Sequence, residues 1–317
     1  MRSPIRIRIL VGWLVPAATA QACSSCGCTL SSEWGSQGLS ASSGLNFDLR
    51  YDYLDQSQLR SGHGTVSRSD HPFPDEREIE EDTTNRYTTL TIDYAPNPDW
   101  GINVQIPYID RSHTTVAEGD TEVSSSHSRS LGDVKVIGRY QGFLEQKNFG
   151  VQIGLKLPTG SHDVNFNGGP QQGEALDRGL QPGSGSTDLL LGIYHFDSLS
   201  QDWDYFAQAV AQAPLDTRDS FRPGKSLNLN LGLRYMALGR VQPQLQINAR
   251  IVGRDSGANA DVENSGGNLV YFSPGATVEV NKQTRFYGFV QLPVYQYVNG
   301  FQLAPHWTAS AGVNFSF

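Results

Sequence analysis

Past residue 28 the sequence contains no cysteine, its three thiols all falling at Cys23, Cys26 and Cys28. A body without thiols suits passage through an oxidising periplasm. Long apolar runs are missing too: the longest are short and broken by Gly, Asn, Gln or a charge, and mean hydropathy is −0.39. A transmembrane helix, which takes about 20 apolar residues, is thereby excluded. If the mature chain crosses a bilayer, only a closed barrel remains. Positive charge is scarce, with 24 Lys and Arg against 32 Asp and Glu, a formal charge of −8 and a pI near 5.3. That balance lacks the basic footprint of a nucleic-acid binder, so no nucleic-acid partner is expected.

The chain opens with the basic stretch Met1 to Arg8, runs through the apolar segment Ile9 to Val15 and reaches the small residues Pro16 to Ala22. This is the pattern of a secretory signal peptide over residues 1–22, with cleavage after Ala20 or Ala22. A lipid-modified Cys23 is the rival, but a lipobox places a large apolar residue where Ala20 stands. Residues 23–43 then form a polar, Gly- and Ser-rich tail ahead of the folded body at 44–317.

From Gly44 onward the chain alternates with a period of two over segments of about ten residues, the length of a tilted transmembrane strand. In the last segment Trp307, Ala309, Ala311, Val313, Phe315 and Phe317 alternate with His306, Thr308, Ser310, Gly312, Asn314 and Ser316. Leu227 to Tyr235 and Leu245 to Ile251 split the same way, against Asn228, Asn230 and Arg234 and against Gln246, Asn248 and Arg250. Such segments fall near 44–54, 85–95, 100–110, 131–141, 149–158, 186–196, 203–212, 225–237, 241–252, 268–280, 284–295 and 304–317. The fold class expected is therefore all-β, a transmembrane antiparallel β-barrel of about 12 strands. Short connections alternate with long ones at 55–84, 111–130, 159–185, 213–224 and 253–267; the short face the periplasm and the long face outside. Trp100, Tyr108, Tyr140, Tyr235 and Trp307 sit at strand ends, as interfacial girdles require. The expected location is the bacterial outer membrane. The expected partners are its lipid and lipopolysaccharide and the barrel-assembly machinery, which reads a C-terminal aromatic such as Phe317.

Several stretches, taken in order, resemble the outer-membrane transporter family linked to meta-pathway phenol degradation. They are Leu131-Gly132-Asp133-Val134, Leu155-Lys156-Leu157-Pro158-Thr159-Gly160 and Leu180 to Ser186, then Ser273-Pro274-Gly275, Val290 to Tyr295, Asn299-Gly300 and Phe317. The resemblance covers most of the chain from Leu131 onward and implies an outer-membrane barrel with a transport role. The cysteine-bearing N-terminus departs from that pattern.

Two groups of residues offer chemistry. The Cys-x-x-Cys-x-Cys cluster of Cys23, Cys26 and Cys28 has the donor type and spacing to hold a soft ion, Cu(I) or zinc. A disulfide with one thiol left over, a handle for a periplasmic metal or redox partner, and lipidation of Cys23 stand beside that reading. Inward parity supplies a second group, the charges of Asp48, Arg50, Asp52, Asp133, Lys135, Arg139, Lys156, Arg234, Arg250, Glu279 and Arg285, with the rings of Tyr287, Phe289 and Tyr295. Paired across a narrow lumen, such charges leave a polar path for small solutes. Asp75 to Asp82 is expected to be a solvated acidic loop. A channel or transporter for small solutes is the leading function, and a non-conducting structural or partner-docking barrel is the alternative. An outer-membrane hydrolase would need a nucleophile and base within reach at the rim. His195 and His306 are the only histidines in expected strands, in no His-x-Ser-Asn-Gly setting, so the chain is expected not to be an enzyme.

Overall fold

The computed structural model describes residue 37 and residues 43–67, 78–117 and 120–317. The segment expected to be a signal peptide, the three cysteines and residues 75–77 of the acidic run lie outside the described residues. The described chain forms β1 (Gly44–Gln56), β2 (Gln58–Gly62), β3 (Gly64–Thr65), β4 (Ile79–Asn97), β5 (Trp100–Val116), β6 (Val123–Leu131), β7 (Lys135–Tyr140) and β8 (Phe149–Lys156). After a long loop come β9 (Asp188–Ser198), β10 (Trp203–Pro214), β11 (Ser226–Tyr235), β12 (Val241–Val252), β13 (Gly267–Glu279), β14 (Thr284–Ala304) and β15 (Thr308–Ser316).

All neighbours pair antiparallel, and β15 closes the sheet on β1, with Phe47 opposite Phe315 and Tyr51 opposite Ala311. Strands β6 and β7 both pair with β5 and act as one strand broken at 132–134, while β2 and β3 decorate the outer rim. What remains is a closed barrel of 12 strands. Closure leaves no strand edge to satisfy, which is what lets a sheet survive in hydrocarbon.

Local chemistry sets the short turns. The side chain of Asn97 accepts from the amides of Asp99 and Trp100, and Asn281 does the same for Gln283 and Thr284. Each is an Asx turn that reverses the chain within a few residues. At the opposite end Asn299-Gly300 makes a two-residue reversal, with Gly300 at φ +55, a conformation glycine adopts at the second central position of a turn without steric cost. Beyond it Phe301 to Ala304 pair with β2, so β14 carries the outermost hairpin within its own length.

The burial pattern is inverted relative to a soluble protein. Leu231 is 55% exposed while its neighbour Asn230 is 7%, and Ile193, Leu229, Leu245 and Ile247 are likewise exposed. This apolar band is the surface that lipid covers, and alternation is the means by which one strand serves lipid and lumen together. Outward aromatics cluster at the rims: Trp100 against Tyr140 (ring centroids 4.6 Å), Trp203 against Tyr235 (4.9 Å) and, at the far rim, Tyr53 against Trp307 (5.7 Å).

Three expectations change. Strands β4 and β5 run past the barrel and stay paired as far as Ile79 opposite Val116, so Ile79 to Asp82 belong to a strand and Glu80 is buried, not solvated. His306 lies in the short break at 305–307 between β14 and β15, outside both strands. The parity of β14 slips where Tyr271 pairs with Pro293 and Val270 with Tyr295, leaving Val294 as an extra residue. Such a bulge turns the following side chains over, and Tyr295 is 44% exposed, its ring 5.4 Å from His63.

Candidate functional site: the lumen wall and its outer chamber

Charged side chains concentrate on one arc of the lumen, β9-β8-β7-β5-β4-β1. On β1, Arg50 Nε donates to Asp52 at 2.8 Å, and Asp52 also accepts from Ser310 Oγ at 2.6 Å. Lys156 on β8 lies 2.7 Å from Asp133 and 3.4 Å from Asp188. Arg139 on β7 pairs with Asp93 on β4, reaching over the intervening β5. A side chain at Gly101 would push the guanidinium out of this path, since a Cβ there would stand 2.5 Å from the Arg139 guanidinium carbon. The same device recurs where Tyr287 of β14 crosses Gly312 of β15 to donate to Asp48 of β1 at 2.9 Å. Pairing of this kind is expected, because a lone charge in a lumen this narrow is costly.

Asp133 does more than balance Lys156. It sits in the break between β6 and β7 and accepts from the Gly160 amide (3.1 Å), the Ser184 amide (3.0 Å) and Ser184 Oγ (2.8 Å). Thr159 Oγ1 accepts from the Val134 amide and donates to the Gly132 carbonyl. Segments 131–134, 155–160 and 180–186, separate in sequence, thus converge on one carboxylate. They pin the 157–187 connection across the lumen's outer end, where Phe166, Leu176 and Leu180 form a small buried cluster with Val164. Arg111 of β5 donates to the carbonyls of Leu180 and Gln181 from below.

Beneath this connection lies a cavity of about 370 Å³. Its lining includes Arg50, Arg111, Lys135, Lys156, Arg178 and Arg250 together with Asp52, Asp133, Asp188 and Asp255. Above it, at the outer mouth, acidic groups are buried: Glu80 accepts from the Leu303 amide, and Asp177 is almost wholly enclosed. Burial, with nearby acids adding to it, raises the Asp177 carboxyl well above its usual range, and burial lifts Glu78 to about 7.

The other arc is neutral at mid-height. Gln208 donates to Gln152, Asn230 to Gln208, Asn248 to Asn230, Ser273 to Asn248, Gln291 to Ser273 and Thr308 to Gln291. This chain of amides and hydroxyls runs from β8 round to β15, each group satisfying the next, as buried polar groups must be.

Of the residues expected to line the lumen, Asp48, Arg50, Asp133, Lys135, Arg139, Lys156, Arg234, Arg250, Tyr287 and Phe289 face inward. Glu279 and Arg285 pair with each other at 3.0 Å near the periplasmic rim, and Arg234 donates to the carbonyl of Gln37 there. Tyr295 does not join them. Sequence reasoning missed Arg111, Arg178, Asp188 and the amide chain. For the last, the inward Asn and Gln of β11 and β12 showed the wall's polarity but not its donor-to-acceptor order.

No family profile and no curated protein matches the sequence. Solved structures do. The COG4313 outer membrane channel from Pseudomonas putida F1 superposes with a TM-score of 0.62 at 13% identity, covering 87% of this chain and 96% of that one. The CymD monoaromatic hydrocarbon channel gives a TM-score of 0.50 at 10% identity, covering 94% of this chain and 98% of that one. At such identities the likeness is one of fold, and with the apolar band and rim aromatics it makes the chain an outer-membrane β-barrel of the bacterial envelope.

Proposed function

We propose that this barrel is a restricted outer-membrane channel for small polar solutes. The observation that carries the proposal is the chamber of about 370 Å³ inside the lumen, lined by charges of both signs and roofed by the pinned 157–187 connection. Opposed charges and a neutral amide wall give a hydrated solute continuous polar contact, and the roof restricts its size. The convergence of the three motif segments on Asp133 supports a relation to the meta-pathway transporter group. Single-channel recording of the purified mature protein in planar bilayers tests the idea. Steady unitary currents are expected, and a flat baseline at all voltages would leave the structural or partner-docking barrel.

The cysteine group belongs to the proposal as a periplasmic attachment for a soft metal or a redox partner. Thiolate ligands must shed protons, so bound Cu(I) or zinc should dissociate as pH falls. Changing Cys23, Cys26 and Cys28 together to Ser should abolish stoichiometric metal while leaving gel mobility unchanged. A reduced wild type that takes up no metal points to a Cys–Cys bridge or a lipid, which mass spectrometry distinguishes.

A further inference from the structure

We infer that the outer chamber is a selectivity site for small anions bearing carboxylate or phosphate groups, so that the barrel passes anions in preference to cations. This deepens the channel reading and rests on it. The chain as a whole carries a formal charge of −8, yet the chamber lining holds six basic groups against four carboxylates. Three of those carboxylates are already engaged: Asp52 by Arg50, and Asp133 and Asp188 together by Lys156.

Two guanidinium groups stand outside this balance. Arg111 is only 6% exposed, and its partners among the described residues are all neutral: the Asn85 side chain, Tyr87 Oη at 3.0 Å and the carbonyls of Leu180 and Gln181. Arg178 donates to the carbonyls of His162 (2.8 Å) and Ser184 (3.1 Å) and lies over the Phe221 ring at 5.2 Å. Its closest carboxylate, Asp219, is 3.8 Å away and half in solvent, and its buried Nε–H finds no acceptor among the described residues. Carbonyls orient a cation without neutralising it. A buried positive charge held this way favours any mobile anion that reaches it, and the planar guanidinium fork suits carboxylate and phosphate.

The acids at the mouth above offset that field less than their number suggests. Glu78, half-buried, and Asp177, almost wholly enclosed, lie among other acids, which keeps them protonated to higher pH than free carboxylates. An entering anion therefore meets less negative charge than the sequence count suggests.

The test is the reversal potential of the intact mature protein in a planar bilayer under a KCl gradient, followed by titration with citrate and with inorganic phosphate. Chloride should be preferred over potassium, and both polyanions should reduce the chloride current reversibly. Arg178→Gln should move the permeability ratio toward unity and weaken the block, while Arg178→Lys, which keeps the charge, should retain the preference. Unboiled gel mobility checks that each variant is folded. A wild type that conducts but prefers potassium, or a folded Arg178→Gln barrel with unchanged selectivity and block, overturns the inference and leaves the channel reading standing. A wild type without current overturns the channel reading itself, and this inference with it.

Discussion

The two arcs of the lumen wall meet the same demand, buried polarity at the inner face of a thin barrel, by opposite means. From β9 round to β1 the wall uses full charges: Arg50 with Asp52, Arg139 with Asp93, and Lys156 between Asp133 and Asp188. From β10 to β15 its mid-height uses neutral amides and hydroxyls in a relay from Gln208 to Thr308. The charged arc also carries the 157–187 connection, because there a carboxylate, Asp133, stands where the wall is broken and holds that connection. Charge thus serves to anchor and to discriminate, and the amide relay serves to line. The difference predicts unequal sensitivity to mutation.

The largest effect should come from Lys156→Met, which strips the shared cation from Asp133 and Asp188. Leaving buried charges uncompensated costs about 3–5 kcal/mol, read as a lower temperature for loss of the fast-migrating band on unboiled gels. The roof should loosen as well, raising unitary conductance. If the variant melts like the wild type, the charged arc is not a structural anchor.

The lipid side offers a reference outside both arcs. Leu231→Arg places a charge in mid-strand on the exposed face of β11, which costs about 2–4 kcal/mol near the bilayer midplane. Arg at the adjacent Asn230 faces the lumen and should be milder. Equal losses at the two positions would mean that the assigned faces are wrong.

The relay itself should be more forgiving. Asn248→Leu removes two donated bonds, to Asn230 and Gln246, and the acceptor used by Ser273. Unsatisfied neutral groups cost about 1–3 kcal/mol, and partial access to lumen water should hold the loss to the low end. Conductance and ion preference should stay near wild type, and a change in reversal potential here would contradict the division of labour between the arcs.

Most of the barrel was legible because period-two alternation is enforced twice, by lipid outside and water inside, and neither face tolerates a slip. The strand limits at Gly44, Trp100, Phe149, Trp203 and Val241 stand at, or next to, strand starts expected from alternation alone. Legibility failed where that double constraint relaxes. At Val294-Tyr295 a single inserted residue costs the sheet little, and only the neighbouring Pro293 hints at an irregularity. In the 157–187 connection the apolar cluster is made of four side chains with no period, three buried and Val164 partly so, and their inward packing appears only once Asp133 and Arg111 are placed beneath them. The amide relay was hidden for another reason: Asn and Gln read as generic lumen polarity, and donor–acceptor continuity is a property of register, not of composition.

The smallest effect expected is also the one that best separates the mouth from both arcs. Glu78 has its carboxyl raised by burial from the usual range to about 7. A carboxyl whose pKa is higher when packed binds its proton more tightly in that state. Its contribution is therefore complete below about pH 4.5 and is lost as pH rises toward and past 7. Asp177, raised in the same way within the 157–187 connection, adds to the trend. The roof should consequently be better packed at pH 5 than at pH 8, read as slower proteolysis of the connection or lower open probability at the acid end. Glu78→Gln, neutral at every pH, should flatten the part of that profile between them and leave the neutral relay unaffected. A profile that steepens toward alkaline packing instead would show that ionised Glu78 is held by a cation, and that the mouth follows the logic of the charged arc.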